Sequence, residues 1–108
     1  MVIDMHTASL DLHTRVDETR TTLYVAGELD AHSADELRVA VRRVLEIGPA
    51  WLRLDLSTVG FVDSTGLGVL VGARKAARAA AVPFDIATSP RLTALLRRTG
   101  LLGFFDLI

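Results

Sequence analysis

The sequence predicts an α/β protein with a mostly parallel sheet. Segments with the alternation or β-branched content of strands are interspersed with segments of helical periodicity, in the order β-β-α-β-α-β-α. The predicted helices end at Gly or Pro, as helices of globular proteins commonly do. Strands separated by helices run parallel, whereas strands joined by a short turn form an antiparallel hairpin. We therefore expect about four to five strands in one mixed sheet, packed with about three to four helices.

The first part of the chain predicts an arm followed by a hairpin. Residues 1–8 have mixed character and are expected to form a loose amino-terminal arm. Residues 10–16 alternate between apolar and polar side chains, as a half-buried strand does. Residues 17–20 are polar and predict a turn, and residues 22–27 are rich in β-branched and aromatic side chains.

The first helix is expected to begin at Ser33. Ser33 is a good N-cap residue, and Glu36 follows at the spacing of a capping box. One face is then apolar and carries Leu37, Val41, Val44 and Leu45. Gly48 followed by Pro49 predicts the end of this helix.

The centre of the chain contains the most informative segment. Residues 51–56 alternate as a strand, and the small residues Ser57, Thr58 and Gly60 predict a turn after it. A polar stretch at residues 63–66 precedes a helix of small and apolar residues over 67–81. Everything else in the chain is expected to be a scaffold for this stretch.

The last part of the chain predicts a short strand, a helix and a packed tail. Residues 84–87 form the strand, and Ser89 followed by Pro90 predicts the start of a helix through Thr99. The tail over 101–108 is too apolar to remain in solvent, so we expect it to pack against the sheet.

Composition excludes several classes of protein. The chain has 108 residues, which fits a single domain over 1–108. Twelve basic and 13 acidic residues give a net charge of -1, so nucleic acid is not an expected partner. No apolar run approaches the ~18 residues of a membrane span, and the amino terminus lacks the basic region of a signal peptide. With no cysteine in the chain, we expect a cytoplasmic protein without membrane insertion.

No cofactor, metal or catalytic machinery is expected. His6, His13 and His32 lie in unrelated elements without metal-ligand spacing. Ser64 lies between a strand and a helix, but the G-x-S-x-G pattern is absent and no histidine follows Ser64. The glycines after it fit neither a dinucleotide fingerprint nor a phosphate-binding loop. We expect no enzymatic activity, and a small hydrolase that uses Ser64 is the alternative from this class.

Two glycines of the predicted second helix need an explanation. Gly68 and Gly72 each cost about 1 kcal/mol relative to Ala in a helix, and they share one face, which Ala76 extends. This cost indicates that another segment of the protein, or another molecule, approaches this face of the helix closely. The favoured interpretation is tight packing against the sheet or another helix, and the alternative is docking of a partner protein.

Ser64 fits a modification site better than a nucleophile. The start of a helix offers free N–H groups and the positive end of the helix dipole, so the amides near Gly66 and Leu67 are expected to hold a phosphate on Ser64. That phosphate would add about 1.5 to 2 negative charges beside Asp63. Asp63 or Ser64 is also expected to cap the helix, and capping would itself place the Ser64 hydroxyl at the surface.

The sequence resembles a known family at these residues. Asp55-Leu56-Ser57 followed by the stretch from Phe61 to Gly68 is similar to the signature of STAS domains of bacterial anti-sigma factor antagonists. The segment 27–30 resembles the strand-end motif of the family, and Thr99-Gly100-Leu101 with Phe104-Phe105 resembles its carboxyl-terminal signature. The resemblance covers nearly the whole chain.

The resemblance implies a regulatory circuit. The unphosphorylated antagonist binds an anti-sigma factor, which is a serine kinase with a GHKL-type ATP site, and the sigma factor is released. The kinase phosphorylates Ser64, with Thr65 as a minor candidate, and the complex dissociates. A serine phosphatase then resets the antagonist, which is expected to be monomeric when free.

The resemblance also implies a partner-binding surface. Its expected members are Asp30, Ser33, Asp63, Ser64, Thr65, Gly66, Gly68 and Gly72. The alternative within the same fold is a STAS scaffold subunit of a lipid-transport or stress-signalling complex, in which Ser64 is not phosphorylated and dephosphorylated.

Overall fold

The computed structural model describes residues 10–108, so the predicted arm at residues 1–8 lies outside the described residues. The elements follow the predicted order, with a short 3₁₀ turn at Leu102–Phe104 near the end. The strands are β1 (Leu10–Val16), β2 (Thr21–Leu29), β3 (Leu52–Val62) and β4 (Phe84–Ala87). The helices are α1 (Ala34–Ile47), α2 (Ser64–Ala79) and α3 (Pro90–Arg98).

The four strands form one mixed sheet in the order β1-β2-β3-β4. β1 is antiparallel to β2, while β2, β3 and β4 run parallel to one another. The carboxyl ends of β2 and β3 therefore meet at one edge of the sheet, where Leu29 lies beside Val62. This confirms the α/β prediction, and it places the starts of α1 and α2 next to each other.

Helices α1 and α2 cover one face of the sheet. α1 contacts β1 and β2, α2 contacts β3 and β4, and the two helices contact each other. Alternate residues of β2 and β3 point into the resulting core, as the alternation in the sequence predicts. The fully buried strand residues at its centre are Leu23, Val25, Leu29, Leu52, Leu54 and Leu56.

The opposite face of the sheet carries a partly buried ion pair. The β3–β4 register places Arg53 beside Asp85, and the guanidinium donates two hydrogen bonds, of 2.7 and 3.1 Å, to that carboxylate. The indole N–H of Trp51 donates a third hydrogen bond, of 3.1 Å. The bond to Asp85 raises the pKa of the Arg53 guanidinium further above its ordinary value. Asp85 is thus buried with its charge compensated.

The predicted turn at Ser57, Thr58 and Gly60 is wrong, because β3 continues to Val62. The β2–β3 register instead shifts twice, and each time β3 accommodates one extra residue relative to β2. Small and polar residues are typical of such β-bulges as well as of turns. The longer strand carries residue 63 to the same edge of the sheet as the end of β2.

The tail packs beside β4, as expected from its apolar character. Ile86 forms an isolated parallel bridge with Leu107, its amide donates to the Asp106 carbonyl, and its carbonyl accepts from the Ile108 amide. Phe105 is buried in the core. The tail therefore extends the sheet by one short pairing. No helix within residues 10–108 combines the length and the apolar character that crossing a bilayer requires.

Candidate functional site

Asp63 organises the start of α2. Its carboxylate Oδ1 accepts a hydrogen bond of 2.8 Å from the Gly66 amide, and its carbonyl accepts one of 2.9 Å from the Leu67 amide. These contacts make Asp63 the N-cap, one of the two capping residues expected, and α2 begins at Ser64 rather than at residue 67. The Gly66 and Leu67 amides are therefore occupied, so the prediction that they hold a phosphate on Ser64 is wrong for this conformation.

Asp63 also joins the two helix starts. Its Oδ2 accepts a hydrogen bond of 3.2 Å from the Ala31 amide, and its own amide donates to the Leu29 carbonyl at 3.1 Å. One carboxylate thus links the loop after β2 to the first turn of α2. The sequence indicated Asp63 as a cap but gave no signal for the partner Ala31, which lies 32 residues earlier in the chain.

Ser64 and Thr65 are exposed on the first turn of α2. Neither hydroxyl makes a hydrogen bond to another described residue, and the amides of these two residues are also without partners in the part of the chain that the structure describes. The Ser64 side chain is therefore open to solvent. Within residues 10–108 it makes no hydrogen bond to a side chain that could act as a general base and activate it as a nucleophile.

Gly66 is buried where α2 crosses the end of β2. A Cβ at this position would lie 2.5 Å from the Leu29 carbonyl oxygen and 2.8 Å from Leu29 Cγ. Any side chain would push the helix away from the strand, so glycine is required by close approach here. Because Gly66 is buried, we infer that it positions Ser64 and does not contact a partner directly.

Asp30 and Ser33 form a reciprocal cap before α1. The Asp30 carboxylate accepts from the Ser33 amide at 3.1 Å, and the Ser33 hydroxyl accepts from the Asp30 amide at 3.0 Å. The Ser33 side chain itself makes no cap bond to the helix, so the predicted capping box between Ser33 and Glu36 is wrong. The reciprocal cap lies three residues earlier than predicted, because the hydrogen-bonding groups of Asp30 engage the Ser33 amide and hydroxyl.

Ser33 is fully buried, with an exposed fraction of 0%. Its hydroxyl donates a hydrogen bond of 2.6 Å to the Glu28 carbonyl, which fixes the loop between β2 and α1. A partner cannot reach this side chain in the described conformation. We therefore treat Ser33, like Gly66, as a residue that shapes the surface without contacting the partner.

Gly68 and Gly72 are exposed, and nothing lies within 4 Å of a Cβ built on either. The favoured prediction, tight packing inside the protein, is therefore wrong. Both glycines instead line a groove of about 440 Å³ between α1 and α2. Arg38 and Arg42 of α1 line the same groove, and no local sequence pattern predicted their position there. The small side chains keep this groove open one turn beyond Ser64.

The residues around Ser64 do not suggest a metal centre. Within residues 10–108 no three His, Cys, Asp or Glu side chains cluster closely enough to hold a metal ion. His13 lies on β1 near the ring of Tyr24, and His32 is exposed in the loop before α1. What the site offers is an accessible hydroxyl beside a carboxylate and an open groove.

Comparison with known proteins identifies the class to which this fold and site belong. The model of the STAS domain matches residues 11–108, and the chain therefore belongs to the STAS domain family. The curated relatives are more specific. The chain is 36% identical over 102 residues to the anti-sigma-B factor antagonist of Listeria monocytogenes, which covers 92% of this chain and 87% of that protein. It is 34% identical to the protein of the same name from Bacillus subtilis, and the match covers 92% of this chain and 91% of that protein.

Solved structures support the same fold. A crystal structure of an anti-sigma factor antagonist from Mycobacterium paratuberculosis matches with a TM-score of 0.80 at 26% identity, covering 92% of this chain and 85% of that one. The Bacillus cell fate determinant SpoIIAA in its phosphorylated form matches with a TM-score of 0.67 at 21% identity, covering 92% and 90%. At that identity the second likeness concerns the fold alone.

Proposed function

We propose that this chain is an anti-sigma factor antagonist whose binding to an anti-sigma factor is switched off by phosphorylation of Ser64. The relatives named as anti-sigma-B factor antagonists support the role. The single observation that carries the switch is the Ser64 hydroxyl, which is exposed and without a hydrogen-bond partner in residues 10–108 beside the cap formed by Asp63.

The proposed contact surface surrounds this hydroxyl. It consists of Asp30, Asp63, Ser64 and Thr65, together with the open groove along Gly68 and Gly72. Asp30 is partly exposed, and the Asp63–Ala31 hydrogen bond holds the loop that carries Asp30 against the start of α2. This hydrogen bond connects the two parts of the proposed surface, which favours a well-defined docking geometry.

Phosphorylation acts on this surface through charge. A phosphate on Ser64 places about 1.5 to 2 negative charges beside the Asp63 carboxylate. The free amides of Ser64 and Thr65 and the dipole of α2 stabilise the phosphate in the isolated protein. In a complex the same charge is desolvated beside a like charge, which costs several kcal/mol where no cation pairs with it. Since each 1.4 kcal/mol changes affinity about tenfold, this cost separates a transient complex.

The family resemblance supplies the remaining parts of the proposal. The anti-sigma factor is a GHKL-type serine kinase that modifies Ser64, a serine phosphatase reverses the modification, and the free antagonist is a cytoplasmic monomer. In this circuit the chain is a binding protein and not an enzyme, and ATP is bound by the kinase.

Phosphorylation is tested by intact mass after incubation with ATP and an extract of the cells that produce the protein. We expect wild type and the control Thr65→Ala to gain one phosphate, and Ser64→Ala to gain none. A phosphate gained equally by Ser64→Ala would contradict the assignment of Ser64. No gain in any variant would favour the alternative, a STAS scaffold subunit without Ser64 turnover.

The charge mechanism is tested by binding to the purified anti-sigma factor. We expect Ser64→Ala to retain the affinity of wild type, and phosphorylated wild type to bind at least about a hundredfold more weakly. Equal affinity of the phosphorylated and unmodified proteins would overturn the mechanism while leaving the site of phosphorylation intact.

A further inference from the structure

A second cleft lies between the end of β3 and helix α3. It has a volume of about 530 Å³, which falls in the range of roughly 300 to 1,000 Å³ that small-ligand sites occupy. Its walls are mainly apolar and include Val59, Phe61, Leu92 and Leu95. Phe61 is 52% exposed, so a large aromatic ring faces solvent where an apolar ligand would cover it.

The charged residues that line this cleft are both arginines. Arg91 and Arg98 are seven residues apart on α3, which places them on the same side of the helix. The Arg91 side chain donates one hydrogen bond of 3.2 Å to the Gly60 carbonyl, while the Arg98 side chain makes no hydrogen bond or ion pair within residues 10–108. No acidic residue is among those that line the cleft. The cleft therefore combines an apolar floor with uncompensated positive charge.

We propose that this cleft binds a small amphipathic anion, with an apolar body against Phe61 and Leu95 and an acidic head group on Arg98. A guanidinium offers paired N–H donors that match a carboxylate, sulfonate or phosphate. The cleft lies at the carboxyl end of the parallel strand β3, beside α3. This site is separate from the contact surface proposed for the anti-sigma factor.

A bound anion would influence the neighbouring Ser64 surface. Val62 lines the cleft and directly precedes the capping residue Asp63. An occupant that contacts Val62 therefore touches the segment that positions Ser64. We therefore expect the ligand to influence docking, an expectation that rests on the proposed function of the Ser64 surface.

The test uses the full-length purified protein and the fluorescent probe 8-anilinonaphthalene-1-sulfonate. We expect saturable binding with one site, and backbone amide shifts in NMR spectra that concentrate at residues 59–62 and 91–98. Arg98→Gln is expected to weaken binding about tenfold, because it removes a charge-assisted hydrogen bond. The matched control Arg97→Gln makes the same change of charge one residue away, outside the cleft lining, and is expected to bind as wild type does.

Two further measurements keep the proposal falsifiable. N-phenyl-1-naphthylamine has the same rings without the sulfonate and is expected to bind about tenfold more weakly to wild type. Arg42→Gln, in the groove between α1 and α2, is expected to leave probe affinity unchanged. Equal weakening by Arg97→Gln and Arg98→Gln, shifts located in the α1–α2 groove, or an absence of saturable binding would each overturn the proposal. None of these outcomes bears on phosphorylation of Ser64.

Discussion

The starts of α1 and α2 use the same device with opposite consequences for a serine. Each helix follows a strand of the parallel pair β2 and β3, and each is preceded by an aspartate that accepts a hydrogen bond from an amide three residues on. Before α1 the serine, Ser33, is fully buried and bonded to the Glu28 carbonyl. At the start of α2 the serine, Ser64, is exposed and makes no hydrogen bond within residues 10–108.

The difference lies in the spacing between aspartate and serine. Three residues after Asp30, the side chain of Ser33 reaches back to the Asp30 amide and completes a reciprocal cap. At the start of α2 the residue three positions after the aspartate is Gly66, which has no side chain to complete a reciprocal cap. Ser64 directly follows Asp63, and its side chain makes no such bond in the described part of the chain. A serine beside a capping aspartate is therefore structural or accessible according to its position in the turn.

The largest expected effect concerns the glycine that fixes this geometry. Gly66→Ala places a Cβ 2.5 Å from the Leu29 carbonyl oxygen, and we expect it to lower the free energy of unfolding by about 3 kcal/mol. Gly72→Ala, in the same helix with open space around it, is the matched control and is expected to raise stability by about 0.5 to 1 kcal/mol. Urea unfolding followed by circular dichroism measures both.

If Gly66→Ala were as stable as wild type, the close approach of α2 to β2 would not be a constraint on the site. The Ser64 surface would then not depend on glycine at this position. A loss of stability in Gly72→Ala would indicate instead that the groove between α1 and α2 is narrower than described.

The next effect compares the two serines directly. Ser33→Ala removes a buried hydroxyl that bonds both the Glu28 carbonyl and the Asp30 amide, which we expect to cost about 1 to 3 kcal/mol. Ser64→Ala removes an exposed hydroxyl that has no partner within residues 10–108, and we expect a change within about 0.5 kcal/mol. Thermal and urea unfolding of the two variants give the difference. Equal destabilisation by both substitutions would remove the distinction between a structural and an accessible serine.

The sequence predicted the order of elements because strand alternation and helical periodicity are local signals. It also predicted capping of α2 by Asp63, since aspartate and serine are favoured N-cap residues. The assignment of Ser64 as the modified residue stays a prediction. The buried state of Ser33 could not be predicted, because it depends on a bond to Glu28 that forms only when β2 extends to Leu29. A serine near the start of a helix has a similar local sequence pattern in both places, so the pattern did not distinguish the buried serine from the exposed one.

The errors in β3 and α2 have a common physical origin. Ser57, Thr58 and Gly60 are compatible with a turn or with bulges, and only pairing with β2 decides between them. Likewise, whether Gly68 and Gly72 face a neighbour or solvent depends on the separation of α1 and α2, which no local pattern encodes. The cleft beside α3 was missed for the same reason, since its two walls are about 30 residues apart in the chain.

The smallest expected effect extends the comparison to a third aspartate, at the opposite end of β2. Asp17 Oδ1 accepts hydrogen bonds from the Thr19 amide, the Thr19 hydroxyl and the Arg20 amide in the β1–β2 turn. The bond from the Thr19 amide, followed by that from its hydroxyl, lowers the pKa of Asp17 below its usual 3.8. A carboxylate with a lowered pKa stabilises the fold above its unfolded pKa, and this contribution is lost as the pH falls through the folded value. Carboxyl ¹³C shifts followed from pH 6 to pH 2 measure the pKa directly.

Thr19→Val separates the two donors of Thr19, because it removes the hydroxyl and keeps the amide. We expect the pKa of Asp17 to rise towards 3.8 in this variant without reaching it, since the amide bonds remain. The stability difference from wild type should shrink as Asp17 becomes protonated, because the protonated carboxyl is a weaker acceptor. An ordinary pKa for Asp17 in wild type would mean that these bonds do not persist in solution. Capping by aspartate would then be a property of the two helix starts, where the carboxylates of Asp30 and Asp63 are partly buried, and not of the exposed turn.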